Sequence, residues 1–330
     1  MTYSIEALSE KNAFLWEEFN RQSREGTLFH SMQWKELLEH ALDLKLTYYL
    51  ILEDREVMGI WPFITRSVRY FRGLDAIPHS ECNNIILDDS FDINRINDVL
   101  ALFSKECSFL RFTSYNRDVL DRIACDNFSD AYTGNMMVDL NTTPPDAIWE
   151  NLSKKTRKHL HRLENNGFEV RETRAPADIE MFYRYYAENT MYLKGDILPF
   201  SFFQNLMEMF PAKDVRIAVS TSGGDFAGGT LTIADRDKKT AYFEYMALNR
   251  KLPGGYTPTY MVYWDLINWA WDNGYEKISF GRQRLDPGNP RFRNKAKFGA
   301  EHVPIHSKFV LLSKPLRFPY RLWRFIKEPR

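Results

Sequence analysis

Three cysteines in 330 residues, Cys82, Cys107 and Cys125, are too few and too scattered to frame a disulfide-stapled fold, which favours a reducing compartment. No stretch approaches the roughly 18 uninterrupted apolar residues of a membrane span, and the opening MTYSIEALSEKN lacks the basic start and apolar core of a secretory leader. The expectation is a cytoplasmic chain. There is no P-loop, no dinucleotide G-x-G-x-x-G in a strand-to-helix turn and no nucleophile elbow. His79 and Cys82 form an isolated pair, and His159 and His161, two apart on one helix, point to different faces, so no metal site is expected. Net charge is also lacking, at +0, so the molecule as a whole has no long-range attraction to polyanions.

What the chain does have is apolar mass: 44% of residues are hydrophobic and 15% aromatic, enough for substantial cores and against disorder. Its length suggests about two domains. The two halves share a pattern. LTYYLILEDREVMGIWPFI at 46–64 reads as strand, charged turn and strand with Gly59. VRIAVSTSGGDFAGGTLTI at 215–233 reads as strand, Ser-Gly-Gly-Asp turn and strand with Gly228 and Gly229. Each is followed by a helix and another strand, at 93–113 and at 259–281. Pro144 and Pro145 cannot lie inside a helix or a central strand, so the boundary falls near 144, giving domains 1–144 and 145–330.

Information is densest near the end. Ala241 to Ala247 is β-rich, and strict alternation places Tyr242, Glu244 and Met246 on one face and Phe243 and Tyr245 on the other. The loop NRKLPGGYTP follows, then a helix with Tyr260, Trp264, Ile267 and Trp271 at helical spacing and a stop at Gly274. Gly254 and Gly255 permit close approach of the backbone to a ligand, and a helix N-terminus favours negative charge; with Arg250 the loop reads as an anion cradle for a donor, or as a plain turn. Beyond strand 275–281, a basic loop carries Arg282, Arg284, Arg291, Arg293, Lys295 and Lys297 against Asp286 alone, and Arg282 is taken with Lys295 and Glu244 as a candidate catalytic residue. Cations and an anion cradle at neighbouring strand ends suit group transfer.

A second basic segment, SKKTRKHLHRLENNGFEV at 153–170, is a helix capped by Ser153 and ended by Gly167, with the seam Trp149, Leu152, Thr156, Leu160 and Leu163. Its other faces carry Lys154, Lys155, Arg157, Lys158, His161 and Arg162. They read as a solvated face or as a surface for phosphates.

These strings together, with LFHSMQW at 28–34, WAWDNGYEKISFG at 269–281 and NKAKFGAEHVPI at 294–305, resemble the Fem family of peptidoglycan-bridge aminoacyltransferases and the wider Fem-like acyltransferases of the GNAT superfamily. The resemblance covers most of the chain and is more specific in the second half. It implies an α/β (α+β) fold of two tandem GNAT-like domains with mixed sheets, the second domain carrying the main site. It implies transfer of an acyl or aminoacyl group to an amine of a cell-envelope or polysaccharide precursor, from acyl-coenzyme A or aminoacyl-tRNA, without a permanently bound cofactor. Carried onto this sequence, Arg157 matches the family arginine associated with the phosphates of a nucleotide- or lipid-linked acceptor, with Lys154 beside it. Lys295 matches the lysine of the family's F-K-x-x-F-G element, where it would stabilise a developing oxyanion, a role worth roughly 3–4 kcal/mol. Asn294 stands where phenylalanine is usual. No heptads run through 176–240, so the coiled-coil arm of some relatives is not expected.

The remaining assignments are weighed against plainer readings. Glu244 is the candidate base, or a carboxylate paired with Arg282 or Arg284. Tyr256 donates to a leaving group or packs. His30 and Trp34 line the acceptor side or form a buried pair. The C-terminal SKPLRFPYRLWRFIKEPR interleaves aromatics with cations and suits peripheral contact with an anionic membrane, or packing on its own domain. DNA is not an expected partner. The alternatives in function are an acyl-coenzyme A dependent N-acyltransferase acting on a small amine, and a catalytically silent duplicate that binds a polyanion.

Overall fold

The computed structural model describes residues 2–68, 70–81, 85–123, 129–252, 254–313 and 315–316. Cys82 and Cys125, Pro253 of the glycine loop, and most of the C-terminal aromatic and basic segment, with Lys314, Arg317, Arg321, Arg324, Lys327 and Arg330, lie outside these residues.

The chain forms two compact units, one of Met1–Gly134 with the chain from Pro304 onward, the other of Asn135–Val303. The sequence reading set 1–144 against 145–330. The structural divisions fall instead inside two long strands, β7 and β13 below, because a polar, proline-rich connection need not coincide with the limit of a core.

In the first unit the order is β1 (Tyr3–Ala7), α1 (Ala13–Gln22), α2 (Met32–Leu42), β2 (Leu46–Glu53), β3 (Glu56–Val68), β4 (Phe71–Asp75), β5 (Ile86–Leu87), α3 (Ile96–Leu102), β6 (Phe109–Ser114) and α4 (Arg117–Asp121). The continuous helix expected over 93–106 is a shorter α3 flanked by 3-10 turns at Ile93–Arg95 and Phe103–Lys105. Next come β7 (Ser129–Asp139), α5 (Pro145–Asn151), α6 (Lys154–Asn165), β8 (Phe168–Glu172), α7 (Pro176–Tyr192), α8 (Phe200–Met209), β9 (Val215–Ser222), β10 (Asp225–Asp235), β11 (Thr240–Leu248), α9 (Thr259–Asp272), β12 (Lys277–Arg284), α10 (Pro290–Lys297) and β13 (Glu301–Leu311). The expected basic loop after β12 therefore contains a helix, started by Pro290 and by the Asn289 side chain, which accepts from the Arg291 N–H at 2.9 Å.

The first unit's strands are ordered β1-β2-β3-β4-β6-β13, with β5 on β3; the second unit's are β7-β12-β11-β10-β9-β8. The duplication is legible in the register. In β2–β3, Glu53 opposes Glu56 and Leu52 opposes Val57; Met58 is then extra, and Gly59 opposes Ile51. In β9–β10, Ser222 opposes Asp225 and Thr221 opposes Phe226; Ala227 is then extra, and Gly228 opposes Ser220. Both hairpins close with two left-handed residues, Asp54–Arg55 and Gly223–Gly224. Turn and bulge fall at the same offset from each other in both. After each hairpin a parallel pair follows, β4 with β6 and β11 with β12.

Each unit has its own core. Trp61, Phe63, Phe103 and Phe112 anchor the first; Phe243, Tyr263, Leu266, Ile267, Phe280 and Phe298 anchor the second. The buried stripe of α9 is Val262, Tyr263, Leu266, Ile267 and Ala270 rather than the seam read from sequence, and Trp271 is 47% exposed. Tyr260 and Trp264 flank the stripe, with ring centroids 5.5 Å from His159 and 5.0 Å from Trp149 respectively.

Candidate active site

The central feature lies within the second unit, between β11 and β12. These parallel strands pair only from Thr240 opposite Lys277 to Tyr242 opposite Ser279. β11 then runs on to Leu248 and β12 to Arg284 without further registered pairing. Parting parallel strands leave main-chain edges facing a gap at their C-terminal ends, where open α/β sheets place ligands.

A second irregularity sits at the same level. Along β10–β11, Leu231 opposes Tyr245 and Thr232 opposes Phe243, so Glu244 is an inserted residue. The bulge overturns the strict alternation expected for this strand. Phe243 and Met246 now share the α9 side, with Phe243 5.4 Å from the Tyr263 ring and Met246 against the same core. Tyr245 turns to the opposite side, 5.3 Å from Phe203 and 5.7 Å from Tyr186. Glu244 Oε1 is buried at the bulge. Burial beside Glu244 and Tyr186 drives the Tyr245 phenol far above its ordinary range, so it stays protonated.

At the stretch of β12 beyond its pairing with β11, the Lys295 side chain reaches over from α10, its ammonium donating to the Gly281 carbonyl at 3.4 Å. The residue is only 9% exposed. Gly281 takes a left-handed φ of 76° at the point where β12 leaves β11. Arg282 follows it on the same strand and is exposed. Asn294, where the resemblance led to phenylalanine, accepts from the Tyr260 hydroxyl and the Lys297 ammonium, both at 3.3 Å. The wall beside Lys295 is thus polar.

The loop from β11 to α9 is gripped by α6. Gly254 and Gly255 have φ of 86° and 64°, and a Cβ on Gly254 would lie 2.6 Å from the Tyr256 ring, so glycine is required there by both conformation and space. Arg162 donates to the Gly254 carbonyl at 2.9 Å and stacks on Tyr256 at 4.6 Å; Tyr256 in turn packs on Phe168 at 4.8 Å. Arg250, grouped with the glycines in the sequence reading, lies against α7: its Nε donates to Asn189 Oδ1 at 2.9 Å and its guanidinium covers Tyr192 at 4.0 Å.

The other expected residues have partners or positions of their own. Arg157 donates from Nη1 to the carbonyls of Trp149 and Glu150, both at 3.0 Å, and so ties α6 to the end of α5. Lys154 is exposed at the first turn of α6. His30 and Trp34 are wholly buried in the first unit: His30 Nδ1 meets Thr27 Oγ1 at 2.9 Å, and Trp34 Nε1 donates to Ser80 Oγ at 2.9 Å. Neither lines a surface, as a histidine and a tryptophan satisfied inside a core would not. His159 and the Glu244 bulge are the features that sequence reasoning passed over. The bulge leaves no mark in residue types.

Residues 150–293 match the family model of an acetyltransferase (GNAT) domain. This part of the chain matches a GNAT acyltransferase domain, and the whole chain shares the fold of a solved tandem GNAT protein. A crystal structure of FemX superposes with a TM-score of 0.68 at 11% identity, covering 96% of this chain and 99% of that one. A tandem GNAT protein from the clavulanic acid biosynthesis pathway gives 0.62 at 9% identity over 94% and 98%. L-PGS from Bacillus licheniformis gives 0.58 at 13% identity over 98% of both chains. At these identities the likeness is one of fold. No curated protein matches in sequence. Among the described residues, no helix is long and apolar enough to cross a membrane.

Proposed function

We propose that this GNAT N-acyltransferase moves an acyl or aminoacyl group to the amine of a cell-envelope or polysaccharide precursor, at the gap between β11 and β12. The observation that carries the reading is the conjunction, at one level of the sheet, of the parted strands, the Glu244 bulge and the buried Lys295. A putative lysylphosphatidylglycerol synthetase shares the fold, and its name supports a lipid-linked anionic acceptor; the resemblance of the sequence to the Fem family carries the nucleotide-linked one. The match to an acetyltransferase (GNAT) domain supports acyl-coenzyme A as donor, and the resemblance of the sequence to the Fem family carries aminoacyl-tRNA as the other donor.

In this reading the donor's carbonyl lies in the gap. The acceptor amine attacks it, forming the C–N bond and a tetrahedral oxyanion, and collapse breaks the C–S or C–O bond of the donor. Lys295 supplies positive charge to the oxyanion in a site largely closed to water, where fixed charge is most effective. Glu244, at the bulge, takes the proton that the amine loses, and the departing thiolate or alkoxide takes one in turn. The glycine loop and the start of α9 receive the donor's anionic part, and Tyr256 holds the loop's shape rather than acting on the leaving group. Arg282 and the basic face of α6, including Lys154, serve the anionic acceptor. The chain acts without a resident cofactor and meets the membrane, if its acceptor is lipid-linked, from the cytoplasmic side as a peripheral protein.

Thermal-shift titration against coenzyme A, acetyl-coenzyme A, a charged tRNA pool and a UDP-linked muramyl peptide tests this, since a ligand selective for the native state raises its apparent stability. Stabilisation by the UDP-linked precursor together with one donor class is expected. Stabilisation by coenzyme A species alone would shift the reading to N-acylation of a small amine. No response to any of the four contradicts the proposal.

A further inference from the structure

His159 was set aside in sequence as one of two histidines on different faces of a helix. In the structure it faces the loop between β11 and α9. The Thr257 main-chain N–H donates to His159 Nε2 at 3.1 Å. A donor aimed at Nε2 requires a lone pair there, so the ring is neutral with its proton on Nδ1. One turn further along α6, Arg162 donates to the Gly254 carbonyl at 2.9 Å and covers Tyr256. A single helix therefore grips the loop twice, accepting from an amide at one end and donating to a carbonyl at the other. The Tyr260 ring flanks the imidazole at 5.5 Å. The charged groups facing it are cations, Arg162 from α6 itself and Lys297 from α10; with burial foremost, they hold His159 below the ordinary histidine value.

We propose that His159 is a positioning residue of the donor loop: as a neutral imidazole it fixes the Thr257 N–H, and with it the glycine pair and the first turn of α9, in the arrangement that receives the donor's anionic part. The assignment of the loop to the donor rests on the function proposed above; the grip itself does not. Protonation would turn Nε2 into a donor facing a donor, in the company of two cations. The loop then comes free as the pH falls.

The test is the hydrogen-exchange protection factor of the Thr257 amide in the full chain, followed from about pH 7.5 down to about pH 4, so that the scan runs well below the ordinary histidine value of about 6.5 to where a depressed imidazole gains its proton. His159→Gln keeps an acceptor that does not titrate, and His159→Phe keeps a ring without an acceptor. In the wild type, protection is expected to fall about five- to tenfold on acidification, as for one lost hydrogen bond. It should stay constant in His159→Gln and be low throughout the scan in His159→Phe. Wild-type protection at neutral pH in His159→Phe, or acid loss in His159→Gln matching the wild type, overturns the proposal. Should the phenylalanine variant fail to fold, the glutamine comparison decides. Calorimetric titration of coenzyme A runs beside it: weaker binding in His159→Phe ties the grip to the donor, whereas failure of coenzyme A to bind the wild type removes the coenzyme A reading and leaves the exchange result to judge His159.

Discussion

The ammonium of Lys295 lies 3.4 Å from the Gly281 carbonyl, on the stretch of β12 that has already parted from β11. A cation held at 9% exposure beside an open strand edge, rather than in solvent, is placed to meet negative charge that appears only during reaction. Lys295→Ala is expected to lower kcat about 10²- to 10³-fold while the circular dichroism spectrum is retained. Lys295→Arg should not restore the rate, because a planar fork does not replace a compact ammonium in a closed site. Steady-state turnover of both variants checks this.

Arg157 was expected from sequence to bind phosphate, and the structure gives its Nη1 a mechanical task at the end of α5. Arg157→Ala should destabilise the second unit by about 0.5–1.5 kcal/mol, the net contribution of a hydrogen bond whose loss leaves the Trp149 carbonyl still accepting from the Leu152 N–H and the Glu150 carbonyl open to water. Denaturant unfolding measures it. A variant as stable as the wild type but impaired in binding the UDP-linked precursor would return Arg157 to the acceptor.

Asp178 accepts from Arg171 at 2.8 Å and from Thr173 Oγ1 at 2.5 Å, and these hydrogen bonds, that from Arg171 foremost, hold its carboxyl below the usual range. A carboxyl whose folded pKa is depressed stabilises the fold above its unfolded pKa, about 3.9, and loses that contribution as the pH falls through the folded value. Asp178→Asn should cost about 1–3 kcal/mol at neutral pH and flatten the fall in stability below about pH 4. Urea midpoints measured at neutral and acid pH for both proteins settle the sign.

Cys107 is buried against Phe103, and burial pushes its thiol up to about 12. The thiolate is the reactive form, so Cys107 should resist alkylation at neutral pH until the first unit unfolds. Mass spectrometry of the Cys107 peptide after iodoacetamide treatment, with and without urea, reads this directly. Full labelling of the native protein would show that the core opens readily.

Much of the fold was legible because periodicity and turn chemistry act locally. Ser153 caps α6 through the Thr156 N–H, Gly167 ends it in a left-handed conformation, and the two hairpins stand where alternation and turns placed them. What could not be read was whatever depends on a neighbouring strand. The Glu244 bulge exists only relative to β10, and it reversed the faces assigned to Tyr245 and Met246. His159 has no signature in α6, because the partner that defines its role is a main-chain amide 98 residues away. His30 and Trp34 look like site residues as a string and prove to be core, because burial is set by packing and not by residue type.

The most direct test of the account is where an acyl donor slows hydrogen exchange. Acetyl-coenzyme A and a charged tRNA pool, added separately to the full chain, are compared peptide by peptide. The account expects one of the two donors to protect the second half of β11, the glycine loop with the start of α9, and β12 from Gly281 onward. Protection confined to other parts of the chain, or none from either donor, would contradict a transfer site at the gap between β11 and β12.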